Sequence, residues 1–310
     1  MAGSTPLIGI VISTYNRADM LKEAIDSVLS QDWPAKRIVV VDDGSVDGTA
    51  DLCRGYVDRG TMEYVYKSNG GCSTARNRGL EVVADSAGYI CFLDSDDRQL
   101  PGFLAKAVTL LETNPQADFC YADSIMYDQE TGRERRQRVA AAGDPGNFAI
   151  EHFLTNEAKP GSILYRAKTV RHRRFREDLR YNEDSDFLQR VAIECVGVYH
   201  PKPATWVRWH PGSKSRNALE INRAVVRSSR DVISAYPEFY ARHRQVIDTR
   251  MQEMERSLFR TLVLAGQWLE AEAVAKSWLE RVTVSRRIPI YYQLRAFART
   301  LVRRFVTRVG

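Results

Sequence analysis

The chain has 310 residues, 44% of them hydrophobic and 27% charged, with a formal net charge of +6. That composition excludes wholesale disorder, collagen and a membrane-embedded bundle, and the length allows one large unit with additions or two domains. The charge is divided, with 11 Lys and Arg against 18 Asp and Glu in residues 1–125 and 34 against 21 in residues 126–310. An acidic front and a basic back need separate explanations.

In chain order, Leu7–Ile12 is a short apolar run rich in β-branched residues that ends in Ser13-Thr14-Tyr15-Asn16-Arg17, a buried strand followed by a loop. Ala18–Ser30 carries apolar pairs at helical spacing. Arg37–Val41 is a second buried strand, stopped by Asp42-Asp43-Gly44-Ser45, and Thr49–Tyr56 is a helix. Glu63–Tyr66 is a third strand before Asn69-Gly70-Gly71, and Thr74–Val83 a third helix. Tyr89–Leu93 is a fourth strand running into Asp94-Ser95-Asp96-Asp97. This alternation predicts a mostly parallel sheet covered by helices on both faces. In such sheets ligands sit beyond the carboxyl ends of the strands, where the polar clusters after strands one, two and four fall.

Further along, Phe103–Glu112 reads as a helix, Phe119–Tyr127 as a strand and Gln129–Gly146 as an exposed, Arg-rich loop. Asn182–Ile193 reads as a helix with Asn182 as its N-cap. Val198–Arg208 contains Pro201 and Pro203, which predicts an edge strand or irregular chain. From Leu219 onward the pattern is almost wholly helical, and Gly266–Ala273 has the spacing of one helical-hairpin repeat. Cys53, Cys72, Cys91, Cys120 and Cys195 form no CxxC pair and read as reduced structural thiols. No apolar run approaches the ~18–20 residues that span a bilayer. The first residues lack the basic-then-apolar build of a signal peptide, so a cytoplasmic location is expected.

Three carboxylates within Asp94–Asp97 repel one another unless a cation or water screens them, and Mg²⁺ or Mn²⁺ prefers such oxygen ligands. Taken alone, the cluster is equally a solvated acidic turn. Asp42-Asp43-Gly44-Ser45 offers a carboxylate to a ribose hydroxyl or a base N–H, yet by itself also reads as a turn capping the next helix. Thr14-Tyr15-Asn16 offers an aromatic face and polar edges to a base. Gly70-Gly71 with Arg76 and Asn77 at a helix start suits an anionic diphosphate.

Together these pieces resemble the family 2 glycosyltransferases of the GT-A fold, in their bacterial form. The resemblance covers about residues 6–212 and rests on Ile10–Arg17, Val40–Thr49, Gly70–Gly79 and Phe92–Asp97, which match in order and spacing. It implies a Rossmann-like nucleotide-binding sheet with a C-terminal α-helical extension. The halves would be a nucleotide-sugar-binding part at 1–98 and an acceptor-binding part at 99–215, with a basic helical extension at 216–310. By this resemblance Ser13 and Tyr15 flank the nucleobase and Asp43 bonds its N–H edge, which favours UDP. Arg17, Arg76 and Ser95 join the donor-binding set. Asp94 and Asp96 match the family's DxD motif, with Asp96 on a Mn²⁺ or Mg²⁺ ion and Asp94 near the ribose and metal waters. His210 would complete the metal site or touch the diphosphate. Asp184, in Glu183-Asp184 at a helix start, would be the base, and Glu183 with Gly161 and Ser162 would lie on the acceptor side. Acids at a helix start also oppose the macrodipole without any catalytic role.

The implied activity is inverting, metal-dependent transfer of a sugar from a nucleotide-diphosphate donor to a glycan or lipid-linked hydroxyl, in surface polysaccharide synthesis. Two alternatives are a catalytically inactive donor-binding scaffold and a sugar-1-phosphate nucleotidyltransferase. The latter needs a Gly-rich loop directly after the first strand, where Ser13–Arg17 stands. Tyr291–Arg308 carries an apolar stripe beside Arg295, Arg299 and Arg303. This basic amphipathic pattern suits peripheral contact with an anionic membrane, at roughly 1 kcal/mol per basic residue, on the cytoplasmic face of the inner membrane. Packing on the domain or on a second subunit is the alternative, and no nucleic-acid motif is present.

Overall fold

The computed structural model describes residues 5–139 and 147–283. The first half is built as β1 (Ile8–Thr14), α1 (Ala18–Leu29), β2 (Lys36–Asp42), α2 (Thr49–Val57), β3 (Glu63–Tyr66), α3 (Cys72–Val83) and β4 (Tyr89–Asp94). Then follow β5 (Arg98–Gln99), α4 (Phe103–Thr113), β6 (Phe119–Asp128), β7 (Arg133–Gln137), α5 (Phe148–Thr155) and β8 (Ile163–Arg166). The chain continues through α6 (Ala167–Val170), α7 (Glu183–Glu194), β9 (Gly197–Trp209), α8 (Ala218–Ala235), α9 (Pro237–Leu264) and α10 (Trp268–Thr283).

Successive side chains of β1 point to opposite faces. Ile8, Ile10 and Ile12 join the core beneath α1 and α4, while Val11 joins the core that α3, α5 and α7 share with the C-terminal helices. A strand apolar on both faces must be covered on both, which gives the layered α/β plan. The approach of α3 to β1 depends on glycine: a Cβ on Gly79 would lie 2.2 Å from Val11 and one on Gly9 2.7 Å from Val83.

The strands are ordered β3-β2-β1-β4-β8-β6-β9-β5, with β7 paired to β6. β1, β2, β3 and β4 pair in parallel, as the alternation predicts. Beyond β4 the sheet becomes mixed: β8 is antiparallel to both β4 and β6, and β6 and β9 are parallel. The strand order reverses at β1, so the loops after β1, β2 and β4 open at one edge.

Three expectations need correction. Part of the Gln129–Gly146 loop is a strand, because Arg133–Gln137 pairs antiparallel with β6 and Arg136 reaches the buried Asp123 at 2.7 Å. The Val198–Arg208 segment, β9, is an edge only in its proline-bearing first part, which has β6 as its one strand neighbour; Thr205 and Trp206 also pair with β5 and are interior. Its prolines are tolerated because the β6 register breaks there: His200 pairs with Ala122, and pairing resumes at Thr205 with Ser124. Asn182 precedes α7 but makes no side-chain cap; its backbone is left-handed. All five cysteines are free. No helix among the described residues is long and apolar enough to cross a membrane. The Tyr291–Arg308 stripe lies outside the described residues.

Candidate functional site

The loops after β1, β2 and β3 are cross-bonded. The Asn16 N–H donates to Ser45 Oγ at 2.8 Å, and Asn16 Oδ1 accepts from the Val46 N–H at 2.8 Å. Asp42 is buried and spends both oxygens locally, on the Ser45 N–H at 2.8 Å and the Tyr64 hydroxyl at 2.6 Å. Asp43 turns the other way. Its Oδ1 accepts from Lys67 Nζ at 2.6 Å and the Gly70 N–H at 2.9 Å, and its Oδ2 from the Gly71 N–H at 2.7 Å. Gly44 and Gly71, at φ 88° and 94°, allow these turns. Ser13 Oγ lies 3.3 Å from Cys72 Sγ, and Tyr15 is about half exposed. Lys67 is the residue that sequence reasoning missed; the signal was a lone cation between a strand end and the Gly-Gly turn.

The carboxylates after β4 are met by cations. Asp96 Oδ2 accepts from Arg17 Nη1 at 2.8 Å and lies 3.2 Å from His210 Nε2. The Gly212 N–H lies 3.2 Å from His210 Nδ1. Nδ1 is then the acceptor, and Nε2 carries the proton toward Asp96. Burial works to raise the Asp96 pKa, but the His210 hydrogen bond and the Arg17 charge hold it below the usual carboxylate range. Asp97 is driven far the other way, by burial and then by the charges of Asp96 and Asp94, and it accepts from the Arg208 N–H at 3.1 Å.

Arg76 spans the two expected motifs. Its Nη2 donates to Asp94 Oδ1 at 2.6 Å and its Nη1 to Glu183 Oε1 at 3.0 Å. It is 2% exposed and organises carboxylates inside the protein, where the sequence suggested a diphosphate contact. Burial raises the Glu183 pKa; Arg76 opposes that shift, and the neighbouring Asp184 adds to it.

Asp184 is partly exposed at the start of α7, and its Oδ1 accepts from the Ser185 N–H at 2.9 Å. Gly161 and Ser162 do not line this surface. A Cβ on Gly161 would lie 2.7 Å from Leu93, and the buried Ser162 hydroxyl is bonded to Ser124 at 2.7 Å and Thr205 at 3.1 Å. They are packing residues, because the 3₁₀ turn at Pro160–Ser162 passes under β4 and β9. Ser95 is likewise buried, and its hydroxyl has no hydrogen-bond partner among the described residues.

Asp96 offers the carboxylate oxygens that hard divalent cations prefer, and His210 stands beside it and could join as a ligand only by giving up its Nε2 proton. Asp94 stands at the same strand end, turned to Arg76. Among the described residues no three His, Cys, Asp or Glu gather as a ready-made cage. This donor set suits a cation that takes its remaining ligands from water and a diphosphate.

The description "Glycosyl transferase family 2" matches residues 9–178. The uncharacterized glycosyltransferase YibD of Escherichia coli (strain K12) is 31% identical over 94% of this chain and 92% of its own length. The putative teichuronic acid biosynthesis glycosyltransferase TuaG of Bacillus subtilis (strain 168) is 35% identical over 32% of this chain and 39% of its own. Among solved structures, the mannosyltransferase PcManGT from Pyrobaculum calidifontis, in complex with GDP-Man and Mn²⁺, superposes with a TM-score of 0.61 at 15% identity, covering 97% of this chain and 81% of that one. S. aureus TarS 1–349 in complex with UDP-GlcNAc gives 0.59 at 17% identity over 81% of each chain. At these identities the likeness shows the shared GT-A fold.

Proposed function

Because the chain belongs to glycosyl transferase family 2, we propose that it moves a sugar from a nucleoside diphosphate donor to an acceptor hydroxyl, with inversion and with a divalent cation. One observation carries this reading. The Asp43–Lys67 pair, the Asp96–His210 pair and Asp184 meet at one sheet edge, with Arg76 bonded to both Asp94 and the Glu183 that adjoins Asp184.

The base lies on the Tyr15 ring beside Ser13. Asp43 accepts its imino N–H, and Lys67 presents a cation to the neighbouring carbonyl. Uracil offers that edge, and the related folds were crystallised with UDP-GlcNAc and GDP-Man. Asp94 faces the ribose. Asp96, with His210 deprotonated at Nε2, would hold Mn²⁺ or Mg²⁺, and Arg17 is at hand for phosphate oxygens. When bound, the cation offsets the charge that builds on the departing diphosphate. Asp184 takes the proton of the acceptor hydroxyl as it attacks from the opposite face.

Residues 1–98 form the donor half, 99–215 the acceptor half and 216–310 the basic extension. The name of TuaG supports polysaccharide assembly as the setting, with a glycan or lipid-linked acceptor. The eight Arg from Arg281 to the C-terminus support peripheral contact with an anionic membrane. If the full chain floats with anionic vesicles at low salt no better than one ending at Glu280, that contact is discarded in favour of intramolecular packing or self-association.

A thermal-shift screen of UDP- and GDP-sugars with Mn²⁺ selects the donor, since ligand binding to the native state raises stability. With that donor, Asp184→Asn should cut transfer by about 10²–10⁴-fold while donor affinity holds. Unchanged turnover would remove Asp184 as the base, and turnover indifferent to EDTA would remove the cation.

A further inference from the structure

The start of α7 is tied to α8, which lies beyond the family match, by a continuous chain of neutral hydrogen bonds. His152 Nε2 lies 3.2 Å from the Ser185 carbonyl and 3.1 Å from Ser185 Oγ. Ser185 Oγ donates to Asn156 Oδ1. Asn156 Nδ2 donates to Asn182 Oδ1 at 2.9 Å, and Asn182 Nδ2 to Ser228 Oγ at 3.0 Å. Ser228 Oγ donates in turn to the Val225 carbonyl at 3.2 Å.

The direction is consistent along the chain. A carbonyl faces His152 Nε2, so that nitrogen carries the proton, and each later group accepts from one neighbour and donates to the next. Bonds aligned in this way polarise one another. Burial pulls the His152 pKa down to about 4, which keeps the ring neutral at physiological pH.

Both amides sit on left-handed backbone, Asn156 at φ 55° and Asn182 at φ 61°. Asn enters that region more readily than most side chains. At each position the backbone shape and the side-chain contact therefore call for the same residue. Asn182 and Ser185 bracket Glu183-Asp184. Ion pairs run in parallel: Arg176 to Asp231 at 2.8 Å and to the buried Asp186 at 3.7 Å, and Arg227 to Asp178; apart from Asp186 these groups are partly exposed and screened.

We propose that α8 belongs to the catalytic apparatus at one remove. Asn182 and Ser228 are positioning residues that hold the backbone of Asp184, so the helical extension sets acceptor activation and leaves donor binding alone. This rests on the reading of Asp184 as the base.

Asn182→Gly keeps left-handed backbone accessible and deletes the amide. Ser228→Ala deletes the hydroxyl. With turnover read as nucleoside diphosphate release from the UDP- or GDP-sugar chosen by the screen, each variant should lose roughly tenfold in kcat with donor KM within twofold. The double variant should fall no further than the worse single one, because both cut the same chain. A kcat within twofold of wild type in either variant, a matching rise in donor KM, or losses that multiply would each overturn the proposal. Asp184→Asn is measured alongside. If it is inactive while Asn182→Gly and Ser228→Ala are normal, only the relay fails; if it is active, the base assignment fails instead.

Discussion

The two sides of the site are built from different materials. The donor edge is a mesh of full charges in which Asp43, Asp94 and Asp96 each hold a cation of the protein's own: Lys67, Arg76 and Arg17. The acceptor edge rests largely on amides, hydroxyls and one neutral imidazole, with Asp184 bonded to a backbone N–H and the charged pairs of Glu183 with Arg76 and of Asp186 with Arg190 on either side of it. A charged mesh suits a ligand that arrives as an anion with a cation, because it can exchange partners. The two edges touch through Arg76 and Glu183.

Breaking that touch should have the largest effect. Arg76→Ala leaves the buried Glu183 and the adjoining Asp94 without their shared cation. Removing one partner of a buried ion pair costs about 3–5 kcal/mol, because the other charge stays inside. Chemical denaturation should show a loss of that order, together with loss of transfer. Arg76→Lys should recover only part, since one ammonium cannot fork to two carboxylates as a guanidinium does. If Arg76→Ala unfolds like wild type, the two edges are independent.

The neutral frame makes a prediction about acid. Burial lowers the His152 pKa to about 4, and the ring is 1% exposed, whereas an unfolded His titrates near 6.5. As pH falls, the unfolded chain therefore takes the proton first. Stability that is complete above pH ~6.5 drains away between ~6.5 and about 4, by up to about 3 kcal/mol. His152→Gln, which keeps an N–H donor and does not titrate, should flatten that slope in denaturant melts at pH 7 and 4.5. Equal slopes in the two proteins would take His152 out of the acid response.

On the charged side, Lys67→Met should act on donor binding. It leaves Asp43 Oδ1 with only the Gly70 N–H and removes a bond to a charged group, for roughly a tenfold rise in donor KM with little change in kcat. A fall in kcat at constant KM would move Lys67 out of the donor edge.

The same contrast explains what could be read from the sequence. The strand ends at Ser13–Arg17, Asp42–Ser45 and Asp94–Asp97 were legible because β-branched apolar runs stop abruptly at polar residues. β7 was not, because Arg133–Gln137 has no apolar member and becomes a strand only by pairing with β6. The interior end of β9 was not legible, because nothing local shows that Arg98–Gln99 pairs with Thr205–Trp206. Asp96 and Asp184 could be picked out by motif, and His210 was expected near Asp96, but the remaining contacts could not. Arg17, separated from Asp96 by 79 positions, and Ser228, separated from Asn182 by 46, meet them only in the folded chain. Asn182 was expected to cap because Asn often does so; here the left-handed turn redirects its amide to α8. Gly161 and Ser162 looked accessible, and only the packing of β4 and β9 puts them inside.

The smallest predicted effect tests how far the donor edge depends on neutral bonds as well. Asn16 stands at φ 49°, and its Oδ1 accepts from the Val46 N–H at 2.8 Å in an exposed contact. Asn16→Gly keeps the backbone accessible and removes only that bond, for about 1 kcal/mol or less in stability and a few-fold rise in donor KM. Asn16→Ala removes the same bond and also places a Cβ in the left-handed region, adding about 1–2 kcal/mol. If backbone shape is what joins the β1 and β2 loops, the glycine variant binds donor almost as wild type does and the alanine variant does not. If the side-chain bond joins them, both weaken alike, and the donor edge has a neutral component after all. Donor titration of the two variants at low and at high salt completes the comparison: a weakness that comes from the Asn16 bond is indifferent to salt, whereas partly exposed pairs such as Lys67–Asp43 and Arg17–Asp96 weaken as salt rises.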